Sequence, residues 1–263
     1  MSATPLLDFF KRGEVSHDVR LLAAQGVLAP RAHEQLAILI LLVDDREVDV
    51  RTTALATVDR IPVEALTAYL GRSDVPIGVR EFFADRGVFP SEIPAITAED
   101  PLYEMPADDD GGLDDDEALD ETGEGESTAT LLQKLQRMNV TERLKAAMRG
   151  SREMRAILIR DPNKMIGAAV LSSPKVTESE IESIARMATI SEDILRMIGL
   201  NRAWLKNYGI LSALTRNPKT PIALSLNLMG RLNDRDMQSL STDRNVPDPL
   251  RVAARRKLVH GDR

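Results

Sequence analysis

Thr177-Glu178-Ser179-Glu180-Ile181-Glu182-Ser183-Ile184-Ala185-Arg186-Met187-Ala188 is the stretch whose reading decides the fold. Thr177 and Glu180 have capping-box spacing, in which each side chain satisfies an amide that the first helical turn leaves without a partner. Ile181, Ile184, Ala185 and Ala188 follow at i, i+3, i+4 and i+7, one apolar stripe along a helix. The spacing predicts a helix from Thr177 to Ala188. It would be one of many, because the flanking sequence repeats the pattern.

A shift of 56 residues lays Arg160-Asp161-Pro162 on Arg216-Asn217-Pro218 and the pair Thr177/Glu180 on Asn233/Asp236. The same shift puts Ile181 on Met237, Ile184 on Leu240, Ile190 on Val246 and Ile194 on Leu250. Apolar falls on apolar, and caps fall on residues able to cap. A third copy runs through Ile61, Leu66, Tyr69, Val75 and Val79, where Val75-Pro76 matches Val246-Pro247. A pair of short helices cannot bury its inner stripe alone, whereas a neighbouring pair covers it and leaves its own stripe for the next.

Working outward, Leu6, Leu7, Phe9 and Phe10 form an apolar cluster suited to sealing the end of a stack. A helix from Val19 should end near Gly26, and Arg31 to Val43 is apolar on nearly all sides, as a covered helix would be. Val48, Thr52, Leu55 and Val58 recur at helical spacing and predict the buried face of the next helix. Short helices divided by Pro, Gly or Asp continue on both sides, with no alternating strand pattern.

Between the patterned regions lies a segment of a different kind. Residues 96–128 hold 14 Asp+Glu and no Lys or Arg, among them Asp108-Asp109-Asp110 and Asp114-Asp115-Asp116-Glu117. Like charge with little to bury does not offset the entropy of ordering, so this reads as a disordered acidic linker. The net charge of -7 hides an asymmetry: residues 1–95 carry 10 Lys+Arg against 14 Asp+Glu, and residues 129–263 carry 24 against 13.

The runs Ser191-Glu192-Asp193-Ile194-Leu195-Arg196, Asn201-Arg202-Ala203-Trp204-Leu205-Lys206-Asn207-Tyr208 and Asn217-Pro218-Lys219-Thr220-Pro221 resemble those of bacterial helical-repeat proteins. From about Leu131 to Leu258 the chain resembles the HEAT/armadillo-like α-solenoids, and the N-terminal half departs from that pattern. The resemblance implies a HEAT-like α-solenoid for the C-terminal part. With the third copy of the repeat, the expectation is an all-α protein with two short HEAT-like α-solenoid stacks, 1–95 and 129–263, joined by the acidic linker. The resemblance also implies a binding role rather than a reaction.

The residues themselves agree with that direction. There are no cysteines, so disulfides and thiolate metal sites are excluded and a reducing, cytoplasmic setting is expected. The start lacks the basic and apolar regions of a signal peptide, and the longest apolar run, Leu36 to Val43, is too short to span a bilayer. His17, His33 and His260 form no zinc motif, and no glycine-rich phosphate loop occurs. Ser172-Ser173 reads as a turn before Pro174 rather than a nucleophile. The linker acids lack the spacing of a calcium loop. No catalytic set, cofactor or metal site is expected.

The expected function is a non-enzymatic scaffold that holds a protein partner on the C-terminal stack. The interaction candidates are Trp204, Lys206, Asn207, Tyr208, Asn217 and Lys219, at helix ends and turns where a solenoid presents its polar edge. Trp204 and Tyr208 read as i, i+4 neighbours on one helix, with Trp204 favoured for the core. The alternative partner is nucleic acid, suggested by Arg149, Arg152, Arg155 and Arg160 and by Arg251 with Arg255-Arg256-Lys257. Aromatics at 3% are few for a series of base-stacking platforms.

Overall fold

The computed structural model describes residues 5–28, 31–91, 102–103 and 128–261, and every regular element among them is helical. The chain divides after Met148 into two compact units. The first carries α1 (Pro5–Arg12), α2 (His17–Ala24), α3 (Ala32–Val43), α4 (Val48–Arg60), α5 (Val63–Leu70), α6 (Ile77–Ala84), α7 (Thr128–Arg137) and α8 (Val140–Arg149). The second carries α9 (Arg152–Leu158), α10 (Lys164–Ser172), α11 (Glu178–Arg186) and α12 (Glu192–Leu200), then α13 (Tyr208–Arg216), α14 (Ile222–Met229), α15 (Asp234–Thr242) and α16 (Asp248–Gly261). A 3₁₀ turn, Trp204–Lys206, precedes α13. The acidic segment, apart from Leu102, Tyr103 and Thr128, lies outside the described residues.

In the second unit the N-caps reveal the repeat. The side chains of Ser151, Thr177, Asn207 and Asn233 accept backbone amides at the starts of α9, α11, α13 and α15. These caps are spaced 26, 30 and 26 residues apart, so the 56-residue shift spans two helical hairpins. The 3₁₀ turn accounts for the longer interval. Leu158, Ile184, Leu214 and Leu240 occupy one equivalent position, and Ser172, Ile198, Leu228 and Ala254 another; all eight are buried. Helix α11 lies against α13, α10 against α12 and α14 against α16, so like members of successive hairpins form two layers. Gly167 and Gly199 permit this approach, since a Cβ on either would collide with Ile194 or Leu224 of the next hairpin.

Polar clamps join the hairpins. The Arg155 guanidinium donates to Glu180 Oε1 at 2.8 and 3.2 Å, linking α9 to α11 with both side chains more than nine-tenths buried. Glu180 also completes the capping box by accepting the Thr177 amide at 2.8 Å. Burial pushes its carboxyl up, but the Thr177 amide and the Arg155 guanidinium outweigh this and hold it below the ordinary carboxylate range. Asp236, its counterpart 56 residues on, takes Arg216 and the Tyr208 hydroxyl, linking α13 to α15. The cap acids thus have two jobs.

The first unit is built around α3, whose Leu36, Ile38, Leu39 and Leu42 are buried between α1, α2, α4 and α6. Burying each such side chain contributes about 2 kcal/mol. Leu6, Leu7 and Phe10 of α1 are buried, as expected of a sealing cluster. Counted from Pro62, Leu66, Tyr69, Val75, Val79 and Phe83 stand at the same offsets as Leu211, Leu214, Thr220, Leu224 and Leu228 from Asn207, beginning with Leu66 on Leu211, Tyr69 on Leu214 and Val75 on Thr220. All the members in the first unit are buried. The Gln35 side chain accepts the amides of Leu102 and Tyr103 at 2.8 and 3.1 Å and donates to the Tyr103 carbonyl at 2.6 Å.

Two sequence expectations are corrected here. The buried face of α4 is Val50, Ala54, Thr57 and Val58, while Val48 and Leu55 are exposed. Packed against both α2 and α3, α4 turns Val50, Ala54, Thr57 and Val58 toward them, which leaves Val48 and Leu55 on the outer side. Helix α11 ends at Arg186 rather than Ala188, which is exposed. Met187 is extended because the Asn217 side-chain amide captures the Ala185 and Met187 carbonyls at 2.7 and 3.0 Å.

Candidate functional site

The turns between the two helices of each hairpin in the second unit share one construction. Asp161, Asn217 and Asp243 sit at the equivalent position, and each side-chain oxygen accepts the amide two residues on, at 2.8, 3.0 and 2.9 Å. Such Asx turns fix the chain direction locally. The hairpin of α11 and α12 has Met187 there instead, and the Met187 backbone carbonyl accepts the Asn217 side-chain amide of the next hairpin at 3.0 Å.

The residue before this position lies at or just beyond the end of the first helix of each hairpin. Arg160, Arg186, Arg216 and Thr242 are equivalent by this count. The Arg186 guanidinium pairs with Glu182 one turn earlier, and Arg216 pairs with Asp236. Glu182 itself lies against Gly209, where any side chain would meet its carboxylate. Between these helix ends runs a groove of about 760 Å³, lined by Arg186, Tyr208, Ser212, Arg216, Asp243 and Asn245 among others. Its volume falls in the range of small-ligand sites.

The six sequence candidates divide into two kinds. Lys206 and Lys219 are exposed. Tyr208 is 41% exposed and lines the groove, while its hydroxyl donates to Asp236 and accepts the Asn233 amide at 3.2 Å. Burial and the neighbouring Asp236 push its phenol up from its ordinary value. Asn207 caps α13, accepting the Gly209 amide at 2.8 Å, and its Nδ2 donates to Glu178 at 2.8 Å. Asn217 is buried and fully engaged by backbone groups, so both asparagines hold the scaffold in shape. Trp204 is half-buried in the 3₁₀ turn rather than sharing a helix with Tyr208, because the Asn207 cap starts a new helix between them.

The C-terminal cations are also partly engaged. Arg251 pairs with Asp248, Arg255 donates to the Ser241 carbonyl at 3.0 Å and Lys257 to the Gly230 carbonyl at 3.1 Å. Sequence reasoning passed over Arg186, Ser212 and Asn245. The available signal was the 26-residue interval from Arg160 to Arg186, which a 56-residue shift steps across.

Titratable groups of the first unit are dispersed. His33 Nδ1 lies 3.1 Å from the Tyr69 hydroxyl, with burial pushing His33 down and Tyr69 up to about 12. His17 is bracketed by Asp18 and Asp49, which raise it. Among the described residues no three His, Asp or Glu side chains converge as metal ligands would, and no helix is long and apolar enough to cross a membrane. Comparison with known proteins finds no matching family, no matching curated protein and no matching solved structure.

Proposed function

We propose that the protein is a non-enzymatic helical-repeat scaffold of the HEAT/armadillo-like kind, which holds a protein partner along one edge of its C-terminal unit. The observation that carries this reading is the groove between the helix ends of successive hairpins, which Arg186 and Arg216 border at equivalent places. Recurrence of that kind suits a ligand that is itself extended and repetitive along its length. A reaction centre would instead gather dissimilar groups at one point.

Crosslinking and co-purification of the full chain tests the proposal. A stoichiometric protein partner is the expected result; measurable turnover on a substrate panel with no partner recovered would overturn it. Nucleic acid remains the alternative, supported by the surplus of 20 Lys+Arg over 12 Asp+Glu in residues 149–263. That reading requires a gel shift whose affinity falls steeply as salt rises.

A further inference from the structure

We propose that the first unit carries a slot for an extended aliphatic–tyrosine segment of a partner protein, which the chain's own Leu102-Tyr103 fills as a built-in competitor. The slot is separate from the groove of the second unit, so it goes beyond the scaffold reading and does not depend on it.

The slot is founded on a buried polar side chain. Gln35 lies in α3, the central helix of the first unit, and is 1% exposed. A buried amide is costly unless its hydrogen bonds are made. Its Oε1 accepts the Leu102 and Tyr103 amides at 2.8 and 3.1 Å, and its Nε2 donates to the Tyr103 carbonyl at 2.6 Å. One side chain thus pairs both backbone groups of Tyr103, as a sheet edge pairs an added strand. Every one of these bonds goes to main-chain atoms. Gln35 therefore reads an extended chain without reading its sequence.

Selection for an aromatic ring comes from Gly26, just beyond α2. It has a φ of +81°, and a Cβ there would stand 3.0 Å from Tyr103 Cδ1 and 3.4 Å from Thr57 Cγ2. The absent side chain leaves room for a flat ring between the end of α2 and α4. At the hydroxyl end, Nη1 of the exposed Arg60 lies 3.4 Å from the Tyr103 oxygen. Thr57 and Arg60 also border a cavity of about 240 Å³ with Gln25, Thr52 and Thr53. A cation and hydroxyls at that end favour a tyrosine with acidic neighbours, and Asp100 and Glu104 flank the chain's own pair.

The chain's own segment is displaceable. Leu102 and Tyr103 are both half-buried, and the Arg60 contact is at the long end of hydrogen-bond range. What remains is one side chain's bonds to backbone and one ring face, contacts that a partner segment reproduces. Tethering favours the resident segment through an effective concentration of about millimolar. A partner that engages Arg60 more closely offsets that advantage.

Fluorescence anisotropy on the full chain tests the proposal with a labelled peptide of residues 99–105, Glu-Asp-Pro-Leu-Tyr-Glu-Met. Tyr103→Ala takes the ring out of the slot and alters a half-buried residue, so far-ultraviolet circular dichroism should stay as in the parent. The peptide should bind this variant about tenfold tighter than the parent, because the tethered competitor is weakened. The same peptide with alanine in place of tyrosine should bind the variant about tenfold more weakly, a comparison that needs no further change in the protein. Gln35→Leu added to Tyr103→Ala removes the amide at nearly constant volume and should abolish the gain. No saturation by about 1 mM peptide, equal affinity for the two peptides, equal affinity of parent and variant, or undiminished binding to the double variant would each overturn the proposal. Sedimentation of the parent at rising concentration completes the test. A dimer that Tyr103→Ala dissolves would put a second copy's segment in the slot and overturn filling by the same chain. All of these outcomes leave the groove of the second unit, and the reading built on it, untouched.

Discussion

The two units solve the same problem of ending short helices in different ways. In the C-terminal unit the side chains of Ser151, Asn163, Thr177, Ser191, Asn207 and Asn233 all accept amides at helix starts. In the N-terminal unit the corresponding residues of α2 to α6 are Ser16, Arg31, Glu47, Pro62 and Pro76, and none makes a side-chain cap bond. Asn139 and Glu142 exchange such bonds at the start of α8, and α14 of the C-terminal unit starts at Pro221 without one. From α2 to α6, however, the N-terminal unit relies on burial of α3 and on prolines that stop one helix and start the next. Capping makes helix boundaries local and repeatable, and a repeatable boundary gives a ladder of equivalent side chains. Burial alone produces a core without that regularity, which is why the groove with recurring arginines belongs to the C-terminal unit.

The sharpest way to break this contrast is to remove a clamp that is also a cap. Glu180→Ala leaves Arg155 buried without its carboxylate, and breaking a buried pair costs about 3–5 kcal/mol. Trp204 is the single tryptophan and lies in the C-terminal unit, so its fluorescence in urea should report the loss as a lower midpoint. A midpoint within error of the parent would show that the clamp does not hold the hairpins together.

Asn217→Ala comes next. It strips the partners from the buried carbonyls of Ala185 and Met187, an effect of about 2 kcal/mol, and hydrogen exchange should rise at the C-terminal end of α11. Thr177→Ala removes one cap and should cost about 1 kcal/mol. Its matched control in the other unit is Ser16→Ala, expected to change stability by less than about 0.5 kcal/mol. If the two alanine variants cost the same, the contrast between capped and uncapped units fails.

The smallest effect is a pH dependence. Burial places His33 below its ordinary value of 6.5 in the folded state. The unfolded chain therefore takes up the proton first, and stability present above pH 6.5 is lost as pH falls through the folded value. His17 has the opposite sign, because Asp18 and Asp49 raise it, but it is largely exposed and its contribution is screened. Protection of α3 amides against hydrogen exchange, corrected for the intrinsic pH dependence of exchange, should thus fall between neutral and mildly acidic pH, and His33→Gln should flatten that dependence.

Much of this was legible in the chain. The capping box at Thr177 and Glu180, the covered helix after Arg31 and the stop near Gly26 depend on neighbours within one helical turn, where sequence spacing is spatial spacing. The face of α4 was misread because Val48 and Leu55 satisfy the helical period as well as Val50 and Ala54 do, and only packing against α2 and α3 distinguishes them. Of the residues that line the groove, Tyr208 and Asn217 stood among the sequence candidates and Arg186 did not. The roles of Asn207 and Asn217 as clamps were invisible, since their partners lie 29 to 32 residues away.

By itself the sequence determined that the chain is helical, where most helices begin, that a unit recurs, and that charge is divided between its parts. Tertiary structure alone decided that the recurring unit is a single hairpin, that Asp236 and Glu180 tie one hairpin to the next, and that the arginines at the helix ends border one groove. The physical reason is range. Helical period and capping act through contacts of three or four residues, whereas a clamp or groove forms between side chains that only packed helices bring within reach of each other.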